Sequence, residues 1–384
     1  MSQPTVNQYA SQVCLFDAVG NETFAIQRVL SDIGVDSEIL CDLADTSLHG
    51  RVRPWSKNRA RASHLTIVHY SHGSKSIQRV FASSEPKVLL YHNITPAKYF
   101  RGTHSNLVRA SESGREQLAG LANRVEVAVA HSTFSANELR QCGFPRIELV
   151  PYVSLETLGQ VEPDRDVMDR CRRDGWVNLI CVAQVAPHKC IEDCLFVFDY
   201  FKRFVFRKSR LFVIGGWAGT EAYLERLRRL VNIMQLSDVV FTGQVSQESL
   251  IAYYKSAHAF LCMSEHEGFC VPVLEAMRYE VPVFAYAAAA VPETLRYSGV
   301  LFPEKDWPTI AEAIGLLLAD QRLRAQVVAE QREQLPYYSR SACQERLRAL
   351  LASVGIAAVA EDPCRPPKPG YLRGGDPPAA RGAS

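Results

Sequence analysis

Long apolar runs, paired cysteines and a surplus of charge of either sign are all missing from this sequence. No stretch approaches the length needed to cross a bilayer, and the first twenty residues lack the basic start and apolar core of a secretion signal, so a cytosolic protein is expected. Forty-three Lys and Arg against 41 Asp and Glu leave a formal charge of +2, a balance that does not indicate nucleic acid as a partner. Eleven cysteines are scattered singly, many inside apolar runs such as NLICVA and AFLCMS. Reduced, buried thiols are expected rather than a disulfide framework, and the closest pair, Cys190 and Cys194, has no Cys or His partners at zinc spacing. The GGWAG segment lacks Gly-x-Gly-x-x-Gly spacing, and the following strand ends in Thr242 where a nicotinamide ribose would want an acid. The Asp-x-Asp match, Asp164 to Asp166, falls in a linker and not at a strand end, so no metal is expected.

What is present is a chain of 384 residues, 47% apolar and 22% charged, long enough for two domains that each bury a core. Short β-branched or apolar runs alternate with amphipathic stretches, the pattern of βαβ units and parallel sheets. The first half offers QVCLF, DSEIL, LTIVHY, KVLLYH, VEVAVA and IELVP; the second offers VNLICVAQ, RLFVIGG, DVVFTG, HAFLCM, VPVFAY and GVLF. The fold class is therefore α/β, with two doubly wound domains at 1–153 and 175–335 and a mixed-charge linker at 154–174. Ser246 is placed as a helix cap with Glu248 in the first turn, and Ile191, Cys194, Leu195, Phe198 and Phe201 form a helical stripe that puts Lys189 just before a helix. The Pro-, Gly- and Arg-rich stretch 361–384 has little to bury and is expected to be a disordered tail.

One segment, SEHEGFCVPVLEAM, sets Glu267 and Glu275 among apolar residues, where a carboxylate needs a partner. HAFLCM before it reads as a buried strand, and Pro272 marks a helix start. The turn thus lies at a strand's carboxyl end and a helix's amino end, where open α/β sheets bind ligands and where free N–H groups favour phosphate. Gly268 lets the backbone approach a ligand, and Glu275, placed in the first helical turn, could accept from sugar hydroxyls.

This block resembles the Glu-x7-Glu motif of the retaining, nucleotide-sugar-dependent glycosyltransferases of the GT-B fold, family 4. ICVAQVAPHKCIEDCLFVF, LFVIGG, the run from VVFTG to SEHEGF, and AVPETL follow the same order, as do FDAVGNETFAIQRVLSDIG, KVLLYHNITP and VAVAHSTFSANELRQCGF in the first half. The resemblance implies two Rossmann-like domains facing across a cleft, the second for the donor and the first for the acceptor. It further implies a helix in 336–360 that crosses back to the first domain, so that closure can exclude water.

It also implies roles. Lys189 would neutralise the donor diphosphate, Glu275 hold the ribose hydroxyls and Glu267 contact the donor sugar. The amides of Gly268, Phe269 and Cys270 would bind phosphate or sugar oxygens. Gly20, in the loop after the first strand, would admit the phosphates; Gly216 lies in the matched glycine-ended strand, and Gln244 and Val245 would meet the base. His92 would face the donor sugar, with His69, His72 and His131 as competitors. Gln184 stands where an arginine is common, and Arg210 is a candidate substitute. No cofactor is implied beyond the nucleotide diphosphate sugar itself, with a mild preference for GDP-mannose or a related deoxysugar. The acceptor would be a saccharide or a lipid-linked glycan, for which the basic runs RVRPWSKNRARASH and YFKRFVFRKSR offer peripheral contact with the inner face of the membrane. Two rivals are a nucleotide-sugar epimerase of the same shape and a donor-binding scaffold without turnover.

Overall fold

The computed structural model describes residues 4–14, 17–48, 50–55, 63–74, 76–152, 161–172 and 175–356. The expected tail, residues 154–160 and 173–174 of the linker, and the middle of the basic run after Arg51 lie outside them.

Two all-parallel sheets form the architecture. The first holds β1 (Val6–Val13), β2 (Ile39–Ala44), β3 (Arg53–Pro54), β4 (Leu65–Tyr70), β5 (Lys87–Tyr91), β6 (Val127–Ala130) and β7 (Ile147–Leu149) in the order β3-β2-β1-β4-β5-β6-β7. The second holds β8 (Val177–Val182), β9 (Ser209–Ile214), β10 (Val239–Gly243), β11 (Ala259–Cys262), β12 (Val283–Tyr286) and β13 (Val300–Phe302) in the order β10-β9-β8-β11-β12-β13. Runs such as LTIVHY and AFLC become strands whose residues are all buried, as expected of central strands of a parallel sheet covered on both faces.

The first strand departs from expectation. It is VNQYASQV and not QVCLF, because Asn7 and Gln8 are buried with their polarity satisfied inside the protein, which hides the strand from an apolar-run reading. The short β3 was not anticipated, and β2 begins three residues later than DSEIL.

The stripe on helix Ile191–Tyr200 lands as spaced: Ile191, Cys194, Leu195, Phe198 and Phe201 are fully buried in the second domain's core. Each large apolar member stabilises the fold by about 1.5–3 kcal/mol relative to exposure. Ser246 caps helix Gln247–Ser256 by accepting from the Ser249 amide. Helix Arg340–Ser353 lies on the first domain. Its Leu347, Leu350 and Leu351 join a cluster with Val6, Ile26 and Leu30, Arg340 pairs with Asp32, and Gln344 donates to the same carboxylate. All ten described cysteines are free thiols, and no described helix is long and apolar enough to cross a membrane.

Candidate active site

The second sheet reverses its winding between β8 and β11, and two segments meet at the carboxyl ends there. After β8, one turn at Pro187–Lys189 ends in left-handed Cys190 (φ 48°), from which helix Ile191–Tyr200 starts. After β11, the chain runs through Glu267 to left-handed Cys270 (φ 75°) and helix Val271–Arg278, with Pro272 in its first turn. The Glu265 amide donates to the His188 carbonyl and ties the segments together.

Lys189 Nζ donates to both oxygens of Glu267, at 2.7 and 2.8 Å. Their side chains are only 16% and 9% exposed. Burial works against the charged lysine, but the Glu267 carboxylate outweighs it and holds Lys189 above its ordinary pKa. An ammonium has three N–H donors; with two on Glu267, one remains for an anion.

Glu275 stands on the second helical turn, not the first, because the helix begins at Val271. Tyr254 donates to its Oε2 at 2.7 Å, and burial raises its pKa to about 7. The amides of Gly268, Phe269 and Cys270 donate to no protein acceptor among the described residues, so three consecutive N–H groups lie beside the Lys189–Glu267 pair at a helix start. On neighbouring loops at the same edge, Gln184 and Gln244 are exposed. Gly216 lies where a side chain would come within 3.8 Å of Gln244, and Val245 is half-buried.

Three expectations are corrected. Gly20 lies in the first turn of helix Ala18–Asp32 and not in a loop; Asp17 caps that helix by accepting from the Gly20 amide at 2.6 Å, so this N–H is not offered to a phosphate. A Cβ there would sit 2.1 Å from the Cys14 carbonyl oxygen, so the glycine serves chain packing. Gly268 faces protein: a Cβ would fall 2.6 Å from Asn93 Cβ and 2.9 Å from the His92 carbonyl oxygen, both in the first domain. Arg210 cannot replace the missing guanidinium near Gln184. It stands at the opposite end of the strands, where its Nε donates to Asn178 and its Nη2 to the Cys171 carbonyl.

His92 lies against the Gly268 turn through its backbone, but both ring nitrogens point to protein groups. Its Nε2 meets His69 Nδ1 at 3.0 Å and its Nδ1 is 3.5 Å from Glu22 Oε2. The chain continues from His69 Nε2 to Gln8 Oε1 (2.9 Å), from Glu22 Oε2 to His131 Nε2 (3.0 Å), and from His131 Nδ1 to the Val150 carbonyl (2.8 Å). Burial, only partly opposed by Glu22, holds His92 well below its ordinary pKa, and burial pushes His69 down to about 3. His131 is raised: burial opposes its charge, but Glu22 beside it prevails. Glu22, His92 and His131 have the donor types of a metal set. Within this set, His131 and Glu22 are close enough, at 3.0 Å, to form a buried ion pair. Sequence reasoning missed Glu22, whose signal was an acid inside an apolar helix face.

The domains touch through this site. Ser132 and Ser135 hydroxyls donate to the Gly268 carbonyl at 2.7 and 3.2 Å, His266 Nε2 meets Asn93 Oδ1 at 2.7 Å, and Phe269 stacks on Tyr152. Glu293, from AVPETL, accepts from both the amide and the hydroxyl of Thr133 at the start of helix Thr133–Gln141.

Residues 174–334 match the family described as glycosyl transferases group 1. The serotype-specific mannosyltransferase WbdA of Escherichia coli is 27% identical over 158 residues, 40% of this chain but 19% of its own length. The O-antigen chain mannosyltransferase B of Escherichia coli is 31% identical over 103 residues, 27% of each chain. The chain therefore spans well under a third of these curated relatives. Among solved structures, HepE of Anabaena in complex with UDP and glucose superposes with a TM-score of 0.70 at 14% identity, covering 91% of this chain and 99% of that one. The chain thus has the two-domain GT-B fold, and residues 174–334 of its second domain are similar to the glycosyl transferases group 1 family.

Proposed function

We propose that the protein is a retaining glycosyltransferase that moves a sugar from a nucleotide diphosphate sugar to a hydroxyl of a saccharide or lipid-linked glycan. The observation that supports this best is the buried Lys189–Glu267 pair beside three undonated amides at a helix start, with Glu275 one turn further on. In this reading the bond from C1 to the diphosphate oxygen breaks, and a bond from C1 to the acceptor oxygen forms on the same face. The acceptor proton leaves with a phosphate oxygen. Lys189 and the helix terminus stabilise the charge growing on the leaving diphosphate, so no metal is called for. Glu275 holds the ribose, Glu267 orients both Lys189 and the sugar, and the loops of Gly216, Gln244 and Val245 flank the base. His92 contributes through its backbone and its fixed ring orientation.

The mannosyltransferase names of two relatives make GDP-mannose the first donor to test, and the UDP and glucose of the HepE structure make UDP-glucose the second. A scaffold without turnover is favoured by one feature, the uncharged and exposed Gln184. A thermal-shift panel of GDP, UDP, ADP and their sugars, with and without magnesium, followed by a nucleoside diphosphate release assay, separates these readings. Stabilisation by one base, lost in Glu275→Ala and accompanied by release in the presence of EDTA, supports the transferase. Stabilisation without release supports the scaffold, and no stabilisation by any nucleotide overturns both.

A further inference from the structure

Three electron-pair donors from separate elements converge inside the first domain. Glu22 comes from helix Ala18–Asp32, His92 from just past the end of β5 and His131 from just past the end of β6. One donor atom of each lies within 4.8 Å of the other two, and the side chains are 0%, 6% and 4% exposed.

The surrounding hydrogen bonds decide where the protons sit. His131 Nδ1 meets the Val150 carbonyl, which can only accept, so a neutral His131 carries its proton there and its Nε2 is bare. Gln8 uses its amide nitrogen on Ser37 Oγ, which leaves Oε1 to accept from His69 Nε2. Buried His69 has only this amide and another imidazole as partners, so it stays uncharged, and its bare Nδ1 accepts from His92 Nε2. His92 therefore turns a second bare nitrogen, Nδ1, toward Glu22.

Both bare nitrogens face one carboxylate oxygen: Glu22 Oε2 is 3.0 Å from His131 Nε2 and 3.5 Å from His92 Nδ1. Lone pairs that converge in a buried space repel one another unless a cation lies among them. A proton can serve only one of the two lines. Placed on His131 it pairs with Glu22, but His92 Nδ1 still faces an oxygen lone pair, and His131 Nε2 has no well-aligned hydrogen-bond partner among the described residues. A divalent ion serves all three donors at once. Ligand atoms about 2.0–2.1 Å from a tetrahedral ion lie about 3.3 Å from each other, and the two distances bracket that value. Each imidazole also spends its other N–H on a fixed acceptor, Val150 O or His69 Nδ1, as metal-bound histidines do.

We propose that Glu22, His92 and His131 hold a divalent transition-metal ion, zinc by the chemistry of two imidazoles and a carboxylate. The ion fastens helix Ala18–Asp32 to the ends of β5 and β6. It steadies the surface that meets the second domain, since the His92 carbonyl lies against Gly268 and the His131 ring against Phe269. This holds whether or not the donor is a nucleotide sugar.

Full-length protein is stripped with EDTA under reducing conditions, dialysed against zinc or cobalt(II), and passed through gel filtration before elemental analysis. The parent retains a zinc ion per chain and melts higher with it, and the cobalt form shows a tetrahedral visible spectrum without thiolate charge-transfer bands. Glu22→Gln and His131→Gln, checked for folding by circular dichroism, each weaken zinc binding by at least about tenfold. Cys262→Ser, in the other cluster of metal-ligand types, with Glu267 and Cys270, leaves it unchanged. The assignment is overturned if the parent retains no zinc, if cobalt reports thiolate ligation, if Cys262→Ser loses the ion, or if either folded variant binds zinc as the parent does.

Discussion

Replacing Lys189 with methionine leaves Glu267 as a carboxylate, 9% exposed, facing a thioether where two charge-assisted hydrogen bonds had been. Removing one partner of a buried ion pair costs about 3–5 kcal/mol, and since both side chains keep a little solvent contact the lower end, about 3 kcal/mol, is expected. At about 2–4 °C of melting temperature per kcal/mol for a domain of this size, the variant should melt about 6–12 °C lower. Glu267→Leu alone strands the ammonium and should cost a similar amount. The double variant Lys189→Met/Glu267→Leu buries no charge, so it should recover much of the loss while binding no nucleotide. Thermal unfolding of the four proteins, read by far-ultraviolet circular dichroism, closes the cycle. Single variants within about 1 °C of the parent, or losses that simply add, would show that the two residues are not one energetic unit.

Three further outcomes follow from the same geometry. Burial raises the pKa of Glu275 to about 7, so if it holds the ribose hydroxyls as proposed, nucleotide affinity should rise between pH 6 and 8; isothermal titration should find that slope flattened in Glu275→Gln. Gly268→Ala should lower stability by about 1–3 kcal/mol through collision with Asn93 and the His92 carbonyl, and small-angle scattering should show the domains further apart; an unchanged profile would contradict the contact. Burial lowers the pKa of His69, His72, His92, His188, His258 and His266. Below pH 6.5 the unfolded chain binds protons that these folded groups refuse, so their contribution is complete above 6.5 and is lost as pH falls. The raised His131 and Glu275 act in the opposite sense but are fewer, so the protein should melt lower at pH 5 than at pH 7, and an equal or higher melting point at pH 5 would refute this.

The strand-turn-helix around Glu267 was legible because its signals are local: an apolar strand, a glycine turn and a proline at a helix start all fall within about fifteen residues of one another. The energetic argument that two buried acids need partners was also sound, yet the sequence could not name them. Lys189 lies 78 residues from Glu267, and Tyr254 lies 21 residues from Glu275 on another helix. Gly20 was misread because a glycine after a strand suggests a loop; the Asp17 cap three residues earlier was the local sign that a helix had already begun. The first strand was misplaced for the converse reason. Gln8 is buried because His69 and Ser37 satisfy it, and those partners belong to chain segments 29 and 61 residues away.

The contacts made by Gly268 bear on how the two domains cooperate. Its carbonyl accepts from Ser132 and Ser135, its missing side chain makes room for Asn93, and its amide is one of the three left without a protein acceptor. In the proposed reading, one peptide segment therefore serves the donor crevice on one side and the first domain on the other. Opening the domains would take away the two hydroxyl donors and the His266–Asn93 bond, and would release Glu293 from the start of helix Thr133–Gln141. A carbonyl buried without a donor costs about 1–3 kcal/mol, so an open state keeps the Gly268 carbonyl only by exposing the turn to water, which weakens every electrostatic interaction of Lys189 with a diphosphate. The arrangement proposed to present three amides to a phosphate is thus most favourable when the first domain is pressed against it. Donor binding and domain closure should accordingly be coupled through this one glycine, each strengthening the other by the same factor.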